Sequence, residues 1–214
     1  MIFYADSADT GQIRKMEELG ILKGITTNPA ILAKESEAPL DVIRRLCREF
    51  PQYPVFAQIH VGELEEMLEE SQKYEAVDER VVIKIPACVQ GFKTLYQIRK
   101  ETVFQNEICV TTVFTAAEAL LAAAAGADYV APYVGDIYQL GYDGQTVLKE
   151  MVLALKGTKT KVLAAAVERA EDMVAAALAG ADIATVTPGA ANQVLEKPYP
   201  VTEWYLRLFA GKER

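Results

Sequence analysis

Lys84 stands between Ile83 and Ile85 in the run VVIKIP, with Val81, Val82 and Pro86 around it. An ammonium is costly to bury among such side chains, so its pKa should fall toward ~7 to 8, as for other catalytic lysines. A lysine made partly neutral attacks carbonyls and forms a Schiff base, which withdraws electrons from the neighbouring carbon. The same residue could instead only pair with Asp6 or another carboxylate as a structural ion pair. Asp6 has two readings as well: it could move protons to and from the carbinolamine, or simply neutralise Lys84. Gln58 cannot titrate and an ordinary tyrosine such as Tyr133 titrates near ~10, so both suit orientation of water or substrate, or else the filling of a polar core. His60 follows Gln58 with the same parity but lacks metal-ligand companions, which makes it a loop or supporting group.

These residues share a place in the pattern. Short apolar runs of strand type alternate with longer segments of helical period, and eight such pairs can be counted. The strand-like runs cover 2–6, 24–27, 55–60, 81–86, 108–113, 129–134, 161–167 and 183–186. Between them, Leu40, Ile43, Leu46, Cys47 and Phe50 line one face of a helix opened near Pro39, with Arg44, Arg45, Arg48 and Glu49 on the other. Thr115 and Glu118 make a capping box, and Gly126 closes the same helix as a left-handed cap. The acidic run GELEEMLEES (62–71) reads as the solvated face of a helix. LAAAAGADYVAP (121–132) echoes VAAALAGADIATVTP (174–188), and the glycines lie two units of roughly 27 residues apart.

Eight such units nearly fill 214 residues, which predicts a single (β/α)8 TIM barrel over the whole chain, with an extra C-terminal helix over 200–211. A doubly wound open sheet would show the same alternation, but no GxGxxG follows any strand. In a barrel, catalytic groups sit at the C-terminal strand ends. There the first six strands deliver Asp6; Thr26, Thr27 and Asn28; Gln58; Lys84; Thr111 and Thr112; and Tyr133.

Composition narrows the partners. The chain is 51% hydrophobic and 24% charged, the range of an ordinary globular domain. With 22 Lys plus Arg against 30 Asp plus Glu, the formal charge is -8, which argues against nucleic acid or an anionic membrane as main partner. Cys47, Cys88 and Cys109 lie far apart without a CxxC pair, so no zinc site, disulfide framework or metal cofactor is expected. Asp6 and Asp9 interrupt the N-terminus where a signal peptide needs an apolar run, and no stretch approaches a membrane span, so a cytoplasmic location is expected.

With these residues assembled, the chain resembles the small transaldolase family, and within it the fructose-6-phosphate aldolases. The likeness runs nearly end to end and rests on Asp6, GITTNPAIL (24–32), VVIKIP with Lys84, AGADYVAPYVG (125–135) and VLAA (162–165). The resemblance implies a class I, cofactor-free aldolase, an aldehyde-lyase in which Lys84 attacks the ketone of a dihydroxyacetone unit. Asp6 and Asn28 would hold hydroxyls and assist proton transfers. Gln58, Thr111 and Tyr133 would hold the water that protonates the enamine; transaldolases usually have glutamate and phenylalanine where this chain has Gln58 and Tyr133. Thr26, Asn28, Ala131, Ala166 and Arg169 are the substrate-binding positions it implies. Two alternatives stand beside it: a transaldolase passing the three-carbon unit between sugar phosphates, and a non-catalytic sugar-binding barrel.

The chain departs from the family pattern in one place. Relatives that grip a sugar phosphate usually have an arginine where this chain has Asp136, and a serine followed by a basic residue where it has Ala166 and Glu168. Arg169, one place over, could substitute; otherwise the acceptor is unphosphorylated or poorly discriminated. Family members form homopentamers or paired pentamers, homodecamers, through a C-terminal helix. The tail VTEWYLRLF (201–209) is apolar enough to pack on a neighbour or to cover its own barrel.

Overall fold

A computed structural model describes residues 1–100, 104–196 and 199–211. Eight parallel strands close into a barrel in chain order: β1 (Ile2–Asp6), β2 (Leu22–Thr26), β3 (Val55–Gln58), β4 (Val81–Pro86), β5 (Ile108–Val113), β6 (Tyr129–Pro132), β7 (Lys161–Val167) and β8 (Ile183–Val186). β1 pairs with both β2 and β8, so the sheet has no free edge and the open doubly wound arrangement is excluded.

Helices wrap the strands: α1 (Thr10–Glu18), α2 (Pro29–Leu32), α3 (Pro39–Glu49), α4 (Leu64–Glu75), α5 (Val89–Lys100), α6 (Ala116–Ala124), α7 (Val134–Gln139), α8 (Gly144–Ala154), α9 (Ala170–Ala179), α10 (Pro188–Glu196) and α11 (Pro200–Phe209). Among the described residues no helix is long and apolar enough to cross a membrane.

Strands covered on both faces are built from near-continuous Val, Ile and Ala, and their alternating side chains feed two separate cores. Outward residues such as Ala5, Ile25, Ala57, Ile83, Ile85 and Val110 pack under the helices. Ile43, Leu46, Cys47 and Phe50 of the helix after Pro39 join that outer layer, as the helical period predicts. Inward residues Tyr4, Phe56, Val82, Cys109, Tyr129, Leu163 and Ile183 form the inner core. Phe56 stands edge-on to both Tyr4 and Tyr129, with ring centroids 5.6 and 5.1 Å away.

Local chemistry sets the element ends. The Thr115 and Glu118 capping box is formed in both directions, and Gly126 and Gly180 adopt φ of 91° and 88° after α6 and α9. β3 ends at Gln58, two residues before the predicted limit, because the backbone N–H and ring of His60 turn to Glu70 of α4. β6 ends at Pro132, because Tyr133 already caps α7. The acidic run belongs to α4, where Met67 and Ser71 are buried and most of the glutamates face solvent. Every residue of α11 is exposed, so this helix does not cover its own barrel.

Gly24 is required by the inner core rather than by backbone conformation. A Cβ there would lie 2.7 Å from the Tyr4 ring. Overpacking a closed interior typically costs about 1–3 kcal/mol. Gly24→Ala should therefore lower the stability measured by urea unfolding by about that amount, and Gly24→Ala combined with Tyr4→Leu should recover part of the loss.

Candidate active site

Along the barrel axis the inward positions change from apolar to polar within one step of the strand period. Two residues beyond the inner core lie Asp6, Thr26, Gln58, Lys84, Thr111 and Thr185, with Tyr133 just past β6. Ala131 and Ala165, also inward, contribute only methyl groups at this end. The predicted catalytic residues are thus gathered at the C-terminal mouth, from β1, β3, β4, β5 and the end of β6.

Lys84 is 3% exposed, and its Nζ donates to the Thr27 carbonyl at 2.9 Å. It is therefore not a closed ion pair with Asp6. Burial pushes the Lys84 amine below its ordinary 10.5, an effect that the Asp6 charge opposes in part. The Asp6 carboxyl is pushed above its ordinary 3.8 by burial, against the pull of Lys84 and of Thr26, whose Oγ1 donates to Oδ1 at 2.7 Å. Nearby Cys109 is held as a neutral thiol, raised to about 12 by burial.

Gln58 lies opposite Lys84 in the strand register, and its Oε1 is buried without a hydrogen bond from the protein. That oxygen is available to a hydroxyl or water. Thr111 Oγ1 donates to the Tyr133 hydroxyl at 3.4 Å, and burial raises the Tyr133 phenol, keeping it protonated. Phe114 packs edge-on to the Tyr133 ring, 6.0 Å between centroids, which fixes its direction.

This geometry coincides with a match to a family model described as Transaldolase/Fructose-6-phosphate aldolase, spanning residues 3–208. The chain belongs to that family. It is similar to a probable transaldolase of Clostridium botulinum (strain Eklund 17B / Type B), 34% identical over 200 residues and covering 92% of each chain. It is also similar to a probable transaldolase of Heliobacterium modesticaldum, 36% identical over 200 residues, covering 92% of this chain and 91% of the other. Among solved structures, a putative deoxyribose-phosphate aldolase from Coccidioides immitis superposes with a TM-score of 0.63 at 17% identity, covering 92% of this chain and 84% of that one; it shares the fold. A member of the transaldolase/fructose-6-phosphate aldolase family is an enzyme of the aldolase or transaldolase kind.

The remaining positions sort differently. Asn28 is the N-cap of α2: its Oδ1 accepts from the Ile31 N–H at 2.8 Å, which leaves only its amide NH2 for a ligand. Ala166 sits in the left-handed region, φ 55°, on a bulge of β7. Arg169 is ion-paired with Asp172, with most of its side chain still exposed. Asp172, 2% exposed, needs a countercharge, and Arg169 supplies it through Nη2 at 2.6 Å and Nε at 3.2 Å. His60 is exposed and paired with Glu70.

Sequence reasoning missed three features in this family member. Thr185 of β8 shares a short hydrogen bond with Thr26, extending the chain from Asp6; the parity rule applied to the last strand would have found it. The Thr27 carbonyl as the partner of Lys84, and the bulge at Thr112 with φ 57°, are backbone facts without a side-chain signature.

The shift of Lys84 carries a stability signature. Its folded pKa lies below the unfolded value, so the unfolded chain binds more protons and folding becomes more favourable as pH rises toward 10.5. Asp6, raised, contributes the opposite slope above 3.8. The stability of the wild type relative to Lys84→Met should increase with pH on the alkaline side, approaching 10.5. Denaturant midpoints taken across that range provide the check, and a flat difference would remove the case for a neutralised Lys84.

Proposed function

We propose that the protein is a class I aldolase of the fructose-6-phosphate aldolase branch, acting on dihydroxyacetone as donor. The observation that carries this reading is Lys84, a buried amine with one backbone carbonyl partner, ringed by Asp6, Gln58, Thr111 and Tyr133. In the synthetic direction its neutral Nζ adds to the ketone carbon of dihydroxyacetone. The carbinolamine loses water to an imine as Asp6, whose raised pKa suits proton exchange, supplies the proton to the departing oxygen. The water held by Gln58 and Tyr133 takes a proton from the adjacent carbon to give the enamine, which attacks the aldehyde carbon; the aldehyde oxygen takes that proton back from the water, and hydrolysis frees the ketose and Lys84. Cleavage is the reverse.

Gln58 and the Thr111–Tyr133 pair favour release of free dihydroxyacetone over transfer to a second aldehyde. Gln58 cannot take a proton, while its free Oε1 and the Tyr133 hydroxyl would hold a water that protonates the enamine. The probable transaldolases at 34–36% identity favour the second reading, a transaldolase. Cys47, Cys88 and Cys109 are all free, as suits the reducing cytoplasm where we place the reaction.

α11 supports a homopentameric or homodecameric assembly. Trp204, Tyr205, Leu208 and Phe209 are 49%, 47%, 40% and 77% exposed on one short helix, an apolar face that a neighbouring subunit would bury. Sedimentation should give a mass of five or ten chains, and Trp204→Glu with Phe209→Glu should shift it toward the monomer.

Borohydride added with dihydroxyacetone should leave a three-carbon adduct on Lys84, detected by peptide mass analysis, and the adduct should vanish in Lys84→Met. Turnover in that variant should fall by at least about 10³-fold. An unmodified wild-type Lys84 would sink both enzymatic readings. A faster transfer to a supplied aldehyde phosphate than release of dihydroxyacetone would favour the transaldolase.

A further inference from the structure

Between the starts of α7 and α9 lies a cleft of about 380 Å³ lined by Asp136, Tyr138, Ala166, Glu168, Arg169 and Asp172, among others. It adjoins the Lys84 mouth: Tyr133 is the residue before α7 and bridges to Ala165 of β7. The carboxylates of the cleft also reach the site electrostatically. Burial is the main cause of the raised pKa of both Asp6 and Tyr133; Glu168 adds to the first, and Asp136, after Asp6 and Cys109, to the second.

An anion entering this cleft meets carboxylates at each place where proteins usually hold one. The start of α9 would attract negative charge. It already carries Glu171 and Asp172 in its first turn, and Asp172 Oδ2 accepts the Arg169 N–H at 3.1 Å. The first turn of α7 carries Asp136. The guanidinium of Arg169 is already engaged by Asp172. Neither Asp136 nor Glu168 has a cationic partner among the described residues. Lys34, whose charge also reaches Asp6, lies in a separate cleft with Asp6, Asp9 and Glu35, where carboxylates outnumber it.

We propose that the cleft receives the far end of the acceptor aldehyde and selects against phosphate, so that the acceptor is an uncharged aldehyde whose hydroxyls donate to Asp136 and Glu168. This rests on the Lys84 aldolase reading, to which it adds the class of acceptor. A pair of like unit charges near contact in water-like surroundings changes affinity about fivefold. Two carboxylates facing a phosphate should therefore exceed tenfold.

With dihydroxyacetone as donor, kcat/KM for glyceraldehyde should exceed that for glyceraldehyde 3-phosphate by at least about tenfold at low salt, and the ratio should shrink as ionic strength rises. In Asp136→Asn with Glu168→Gln the ratio should move toward the phosphorylated aldehyde by about tenfold or more. Equal or better use of glyceraldehyde 3-phosphate by the wild type overturns the proposal, as does a ratio unmoved by the double substitution. Should borohydride trap no adduct, the Lys84 reading fails separately, and titration with inorganic phosphate decides the cleft. Saturable binding to the wild type, abolished by Arg169→Gln, would overturn phosphate exclusion, and no saturable binding would uphold it.

Discussion

An amine held inside a closed parallel barrel is the constraint around which the rest of this structure is arranged. Every strand of such a barrel is covered on its outer face by helices, and its inner face has no route to solvent except at the two mouths. A lysine on an inward position must therefore be desolvated, paired or placed at a mouth. Lys84 combines the first and last: it is 3% exposed, with one carbonyl contact, one step above a layer of Tyr4, Phe56, Val82 and Cys109. Asp6 sits close enough to moderate its pKa without closing on it. A tight pair would keep the lysine protonated and spend it on structure. The thiol beside it, raised to about 12, adds no competing negative charge near neutrality.

The remaining groups at the mouth follow from strand periodicity, which is why so much of the site could be read before any coordinates. Asp6, Gln58, Lys84 and Thr111 are two positions beyond Tyr4, Phe56, Val82 and Cys109, so fixing one layer fixes the next. The same logic located five of the eight strands to the residue. It was less able to say where strands stop, because stopping depends on partners elsewhere: His60 leaves β3 for a glutamate on α4, and Tyr133 leaves β6 to begin α7. Asn28 was legible as a strand-end amide but not as a helix cap. Arg169 was legible as a cation but not as the partner of Asp172, three residues on, because the burial of that aspartate is a tertiary fact. α11 was legible as apolar, while its full exposure required the fold.

The overall acidity of the chain acquires a location. Asp136, Glu168 and Asp172 converge on one side of the mouth from two helix starts and the end of β7. Negative residues in a first helical turn are favourable in themselves, so Asp172 stabilises α9 whatever the substrate. That accounts for Asp172 and Glu171. It accounts equally for Asp136, in the first turn of α7, but not for Glu168, which precedes α9 without capping it.

Tyr133 keeps the inward parity of Tyr129 and Ala131 past the end of β6, between two strands that break register. The strands on either side of β6 both break step at this level: β5 bulges between Thr111 and Val113, and β7 between Ala164 and Val167. Each bulge places a non-glycine residue at positive φ, Thr112 at 57° and Ala166 at 55°, a conformation that costs of order 1–3 kcal/mol per residue. Local bonds hold them there. Thr112 Oγ1 donates to the Thr111 carbonyl and accepts the Ala87 N–H, while Gly135 leaves room for the Ala166 carbonyl, which would lie 2.6 Å from a Cβ at that position. With both neighbours displaced, the chain after Pro132 turns in, bonds through its N–H to Val113 at 3.3 Å, and brings the Tyr133 hydroxyl to Thr111. Among the described residues, the non-glycine positions of positive φ are thus the two that flank the phenol, on the strands either side of it.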